Sequence, residues 1–158
     1  MNHPADRVRS TRNLRAGLLL LLALFATGCS SPYRSLVADV DSRGWSEPVE
    51  LELPNSDTVH PYDWQLFVRC DDRLEPDTLS LRITLLTPDS LRFGETFAMR
   101  IPRSENPAAV LQEVAVDYRQ RVQLRCTGSY RIRIAPLRPV RGIEAVGIQT
   151  CPSNPVIR

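Results

Sequence analysis

Apolar residues along this chain alternate with polar ones in short runs broken by turn residues, which is the period of half-buried β-strands. Val49, Leu51 and Leu53 are separated by Glu50 and Glu52, and the run stops at Pro54, Asn55, Ser56 and Asp57. Trp64, Leu66, Val68 and Cys70 alternate with Gln65, Phe67 and Arg69, and Leu79, Leu81, Ile83 and Leu85 alternate with Ser80, Arg82 and Thr84. A turn signal follows at Thr87, Pro88, Asp89 and Ser90. Phe97, Met99 and Ile101 then predict a strand stopped by Pro102. Val114, Val116 and Tyr118 predict another; residues 108–113 read either as its beginning or as a helical turn. Residues 143–150 form the last strand, after a loop containing Pro136 and Pro139.

Around Thr127, Gly128 and Ser129 the pattern predicts a closing hairpin. Equal offsets set Cys126 opposite Tyr130, Leu124 opposite Ile132 and Val122 opposite Ile134, and a one-residue slip would send the two apolar sets to opposite faces. About eight short strands with frequent turns argue for an all-β domain, an antiparallel two-sheet β-sandwich, with a barrel as the alternative.

Residues 18–26 break the alternation: nine uncharged apolar residues, LLLLLALFA. As a helix this run is about 13 Å long, too short to span a hydrocarbon core of about 30 Å. Ahead of it stand Arg7, Arg9, Arg12 and Arg15 against Asp6. A positive start, a short apolar middle and small residues before a cut describe a secretory signal peptide. Ala26, Thr27 and Gly28 directly before Cys29 resemble the lipobox of bacterial lipoproteins, in which the cysteine sulfur receives a diacylglycerol and becomes residue one after cleavage. The expected organisation is a cleaved leader at 1–28, a lipidated tether at 29–44 and the β-sandwich at 45–158. No acidic cluster follows Cys29, which favours a lipid-anchored membrane protein of the cell envelope facing the periplasm over export to the cell surface.

Composition changes meaning once the leader is set aside. The full chain has 20 basic and 18 acidic residues. The leader takes four Arg and one Asp, leaving 16 Arg and 17 carboxylates. A globally basic nucleic-acid binder is therefore not indicated. All the basic residues are Arg, so lysine-based Schiff-base chemistry is excluded. Besides Cys29 the chain has Cys70, Cys126 and Cys151, whose spacings match no zinc pattern. An odd number leaves at least one thiol unpaired within the chain. A disulfide, if one forms, is expected between Cys126 and Cys151, since both follow strands that end on the same side in a meander.

Catalytic chemistry has little to work with. Beyond the leader the only histidine is His60, between Val59 and Pro61, and there is no Gly-x-Ser-x-Gly elbow. His60 reads as a turn residue. Asp71, Asp72, Glu75 and Asp77 bring four carboxylates into seven residues, a chemically possible calcium loop, yet without the alternating acids and central Gly of an EF-hand and stiffened by Pro76. A solvated loop is the expected reading, with no metal and no cofactor assigned. The hairpin register puts Arg121, Arg125, Arg131 and Arg133 on one outer face, with Arg125 facing Arg131. Like charges so paired need compensation. It comes either from Glu50 and Glu52 on a neighbouring strand or from an anionic partner.

The lipobox, Trp45, YDWQLFVR at 62–69, GSYRIRI at 128–134, LR at 137–138 and GIEAVGI at 142–148 together resemble the gliding motility lipoprotein GldH family of Bacteroidota. The resemblance runs from about Trp45 to Ile148. The Gly- and Trp-containing turn expected between the middle strands has no counterpart around Gly94 and Pro102. The family brings no catalytic residues. It implies a lipid-anchored, non-enzymatic component of the gliding machinery, with the membrane and other gliding or envelope proteins as partners. An envelope lipoprotein whose sandwich binds a saccharide or calcium is the alternative, and an enzyme stands third.

Overall fold

The computed structural model describes residues 33–102 and 110–153. Eight strands run in chain order: β1 (Arg34–Asp39), β2 (Val49–Asn55), β3 (Tyr62–Asp71), β4 (Thr78–Leu86), β5 (Arg92–Arg100), β6 (Leu111–Val122), β7 (Gly128–Pro136) and β8 (Ile143–Pro152). They form two four-stranded sheets, ordered β1-β8-β3-β6 and β2-β7-β4-β5. Every pairing is antiparallel. The expected sandwich is the observed one.

Strand order gives more than the class. The first strand pairs with the eighth, the second with the seventh, the third with the sixth and the fourth with the fifth. The topology is that of one long hairpin, its tip at the β4–β5 turn, rolled so that successive rungs fall in alternate sheets. That is an eight-stranded jelly roll.

Alternation decides which residues reach the space between the sheets. Trp64, Leu66, Val68 and Cys70 come from β3, Leu79, Leu81 and Ile83 from β4, and Tyr130, Ile132 and Ile134 from β7, all buried in one cluster. Phe67 lies on the opposite face of β3 and is also buried. Its register partners are Ala115 and Gly147, whose small size leaves room for the ring.

Two expectations are corrected. Residues 34–39, assigned to the tether, form β1 and pair with β8 from Arg34–Thr150 to Asp39–Ala145. The close approach needs Gly147, where an added Cβ would stand 2.2 Å from the Leu36 carbonyl oxygen. The closing hairpin is not a hairpin either. β6 pairs with β3 in one sheet, while β7 lies between β2 and β4 in the other. Residues 123–127 cross between the sheets, held by Asn55, whose buried side-chain amide donates to the carbonyls of Leu124 (3.3 Å) and Cys126 (2.8 Å). Leu124, Tyr130, Ile132 and Ile134 are buried as the alternation requires. Periodicity fixes which face a residue takes and leaves its neighbouring strand open.

Candidate functional site

The crossing breaks up the expected arginine row. Arg131 and Arg133 stand on the outer face of β7, in register with Glu52 and Glu50 of β2. The Glu50 carboxylate lies 3.8 Å from Arg131 Nη1 and 3.8 Å from Arg133 Nε. Internal compensation, one of the two expected outcomes, therefore accounts for this pair. Arg121 and Arg125 do not share that face. Arg121 sits near the end of β6 with φ 55°, and its backbone N–H donates to Asp63 Oδ1 at 2.7 Å. Arg125 lies in the crossing and is exposed. The Arg125–Arg131 confrontation does not occur, because their segments belong to different sheets.

Arg121 and Arg125 fall instead at the end of the sandwich where β1 begins. Connections 56–61, 87–91 and 123–127 all gather there. Arg34 Nη1 donates to the Pro54 carbonyl (2.9 Å), Gln123 Nε2 donates to the Thr58 carbonyl (2.9 Å), and Pro88 abuts Gly128, whose φ is +123°. Asp57 organises the first connection by accepting backbone N–H bonds from Val59 and His60 and the Tyr62 hydroxyl. The His60 and Val59 amides hold its carboxyl well below the usual carboxylate range. Asp63 is lowered in the same sense, by the Ser153 hydroxyl first and the Arg121 amide second.

His60 Nδ1 lies 2.9 Å from Asp57 Oδ2, and the ring is exposed. Among the described residues no hydroxyl or thiol hydrogen-bonds to it, so the Asp–His pair lacks a nucleophile. At the opposite end Asp71 turns onto Arg73, and Asp72, Glu75 and Asp77 are exposed. Among the described residues no group of three His, Cys, Asp or Glu side chains is placed to hold a metal ion. Cys70, Cys126 and Cys151 are all free thiols, contrary to a Cys126–Cys151 bridge. Burial, and then the Asp71 charge, push the Cys70 thiol up. Cys29 lies outside the described residues.

A cavity of about 540 Å³, which the alternation did not signal, opens between the edge strands β5 and β6. Trp64, Ile83, Leu85 and Ile132 form its apolar wall, with Phe93 and Arg92 at the rim. Glu95 accepts from both the Tyr118 hydroxyl and Arg119, and the edge of one ring meets the face of the other between Phe97 and Tyr118, with centroids 5.2 Å apart. Burial, reinforced by the bond to Glu95, raises the Tyr118 phenol far above its ordinary value. A cavity of this volume has room for a small molecule against its apolar wall. Among the described residues the exposed aromatics are Tyr33, just before β1, and Phe93 of β5, which form no shared flat platform.

No protein-family model matches this chain, and no curated protein matches it. Among solved structures it is similar to the enzymatically active domain of tailspike protein 4 from bacteriophage CBA120, at 10% identity and a TM-score of 0.26. That match covers 78% of this chain and 19% of the tailspike chain, so this chain spans about a fifth of the length of the structure it resembles. A similarity of this size carries no functional argument. No helix among the described residues is long and apolar enough to cross a membrane.

Proposed function

We propose that this protein is a lipid-anchored, non-enzymatic component of a bacterial envelope machine, of the gliding kind that the GldH resemblance implies. The observation that carries the reading is the lipobox ending at Cys29, five residues ahead of Arg34, the first residue of β1. An anchor joined so closely to a folded sandwich suits a part that holds other envelope proteins at a membrane. His60 without a nucleophile beside it supports a role in assembly over hydrolysis.

Deleting the protein in a gliding host is expected to stop cell movement. Re-expression should restore movement from the native chain and from His60→Ala, and fail from Cys29→Ala. Normal gliding in the deletion strain removes the motility reading. A hydrolytic activity that disappears with His60→Ala removes the non-enzyme reading.

The cavity beside Phe93 favours a second reading, an envelope lipoprotein that captures a small ligand in its sandwich. Replacing Ile83 and Leu85 by Phe to fill the cavity discriminates the two. Movement that survives filling belongs to the scaffold, and movement lost with the fold intact belongs to ligand capture.

A further inference from the structure

The end of the sandwich where the chain enters carries an inference about orientation. From Cys29 to Arg34 the chain reaches at most about 17 Å, even fully extended. β3, with ten residues, spans about 33 Å along the sandwich, so the opposite end lies well beyond that reach. The entry end is therefore held near whatever surface holds Cys29.

That end also has the chemistry of a membrane contact. Tyr33 (68% exposed) precedes β1, Val59 (69%) tips the 56–61 connection, and Leu91 (54%) and Phe93 (57%) mark the turn into β5. These positions spread across the end from the β1 corner to the β5 corner. Between them lie Arg34, Arg92, Arg121 and Arg125, all exposed, with no ion pair among the described residues. The carboxylates at this end are fewer: Asp57 and Asp63 are turned onto backbone N–H groups, and Asp89 accepts from Thr87. The opposite end carries Asp39, Asp41, Glu47, Asp71, Asp72, Glu75 and Asp77 at strand ends or in connections, interspersed with Arg43, Arg73, Arg100, Arg138 and Arg141.

We propose that the entry end is a docking face for the headgroup layer of an anionic bilayer, with the four arginines on lipid phosphates and Leu91, Phe93 and Val59 at the interface. This rests on the lipid-anchor reading and adds to it: the anchor supplies attachment, and the docking face sets which way the sandwich points. The opposite end then faces away from the membrane. Arginine suits the task because its planar fork binds phosphate through two parallel N–H bonds.

The test uses the full-length lipidated protein, purified from membranes and reconstituted into phosphatidylglycerol vesicles containing brominated acyl chains. Native Trp45 and Trp64 are buried and supply a constant background. In Phe93→Trp the added indole is expected to lose emission to the bromines. In Leu137→Trp, at the opposite end, it should not. Shrinking the Debye length from about 8 Å to about 3 Å with salt should weaken the quenching. Arg92→Gln and Arg125→Gln should each lower the seating equilibrium constant roughly fivefold. Equal quenching at the two positions, none at either, or quenching at 93 that is as strong in neutral vesicles overturns the proposal. Contact at 93 that appears only when another envelope protein is added also overturns it, since the face would then belong to that protein. A protein that does not float with the vesicles at all overturns the anchor reading itself, so the two failures are distinct.

Discussion

At the end of the sandwich far from the chain's entry, Gly142 takes φ +79° so that its connection can press against the 71–74 turn. Its N–H donates to the Ser42 carbonyl and its carbonyl accepts from Asp71, each at 2.8 Å. Arg73 closes the group onto Asp71, the Ser42 hydroxyl (3.0 Å) and Glu144 (3.5 Å). These polar groups are spent on one another, while Asp72, Glu75, Arg138 and Arg141 around them stay exposed. At the entry end Asp57 and Asn55 shape the backbone in the same manner and Arg34 donates to the Pro54 carbonyl, but Arg92, Arg121 and Arg125 are exposed beside Val59, Leu91 and Phe93. One end is stitched together around Arg73, although Val110, Leu111 and Leu137 are exposed there. The other has no such stitch among its arginines.

The sharpest break in this contrast is a substitution that harms only the stitched end. In Gly142→Ala the new Cβ would lie 2.4 Å from the Leu74 amide nitrogen at a φ that side chains resist. Urea unfolding should show a loss of about 2–3 kcal/mol. Arg125→Ala at the entry end should stay within about 0.5 kcal/mol of the native protein.

Acid separates the ends less. Asp71, lowered first by its Arg73 hydrogen bond, and Asp57, lowered first by the His60 amide, both have folded values below the ordinary 3.8. Below 3.8 the unfolded chain takes up these protons before the folded one does. The stability they contribute is present in full above that value and is lost as pH falls through their folded values. Melting temperature followed from neutral pH to strong acid should therefore drop steeply below pH 4, and Asp71→Asn or Asp57→Asn should each flatten the drop. An unchanged acid limb in both variants would show that neither carboxylate is held as described.

The smallest effect concerns the sheet face between the ends. Glu50→Gln leaves Arg131 and Arg133 without the carboxylate they share, at a cost of a few tenths to about 1 kcal/mol that added salt should relieve. Arg125→Gln should show no such salt-relieved loss, because Arg125 has no ion-pair partner among the described residues. Equal responses would erase the distinction between compensated and outward arginines.

Much of the fold was legible because alternation reports which face each residue takes. The runs containing Leu51, Leu66, Leu81, Val116, Ile132 and Ile148 all lie in strands. β1 was hidden by its brevity and by lying next to the lipobox, where a tether is the natural reading. β5 was found only in its second half, since Arg92, Phe93, Gly94 and Glu95 show no apolar alternation. The crossing between β6 and β7 was misread because a tight turn and a five-residue passage between sheets bury the same side chains. Glu50 as partner of Arg131 and Arg133 was foreseen from charge alone. The entry-end arginines were not foreseen as a group, since Arg34, Arg92, Arg121 and Arg125 come from strand ends and a connection that only the rolled topology brings together. Arg92, Phe93, Glu95 and Tyr118 around the cavity lie on two edge strands that no spacing rule connects.

Both the assembly role and the docking face depend on the anchor at Cys29, and mass spectrometry of the protein purified from its own membranes tests that anchor most directly. The N-terminal peptide of the mature chain is predicted to begin at Cys29 and to carry a diacylglyceryl group on its Sγ. A mature chain that begins elsewhere, or a Cys29 with an unmodified thiol, would contradict it.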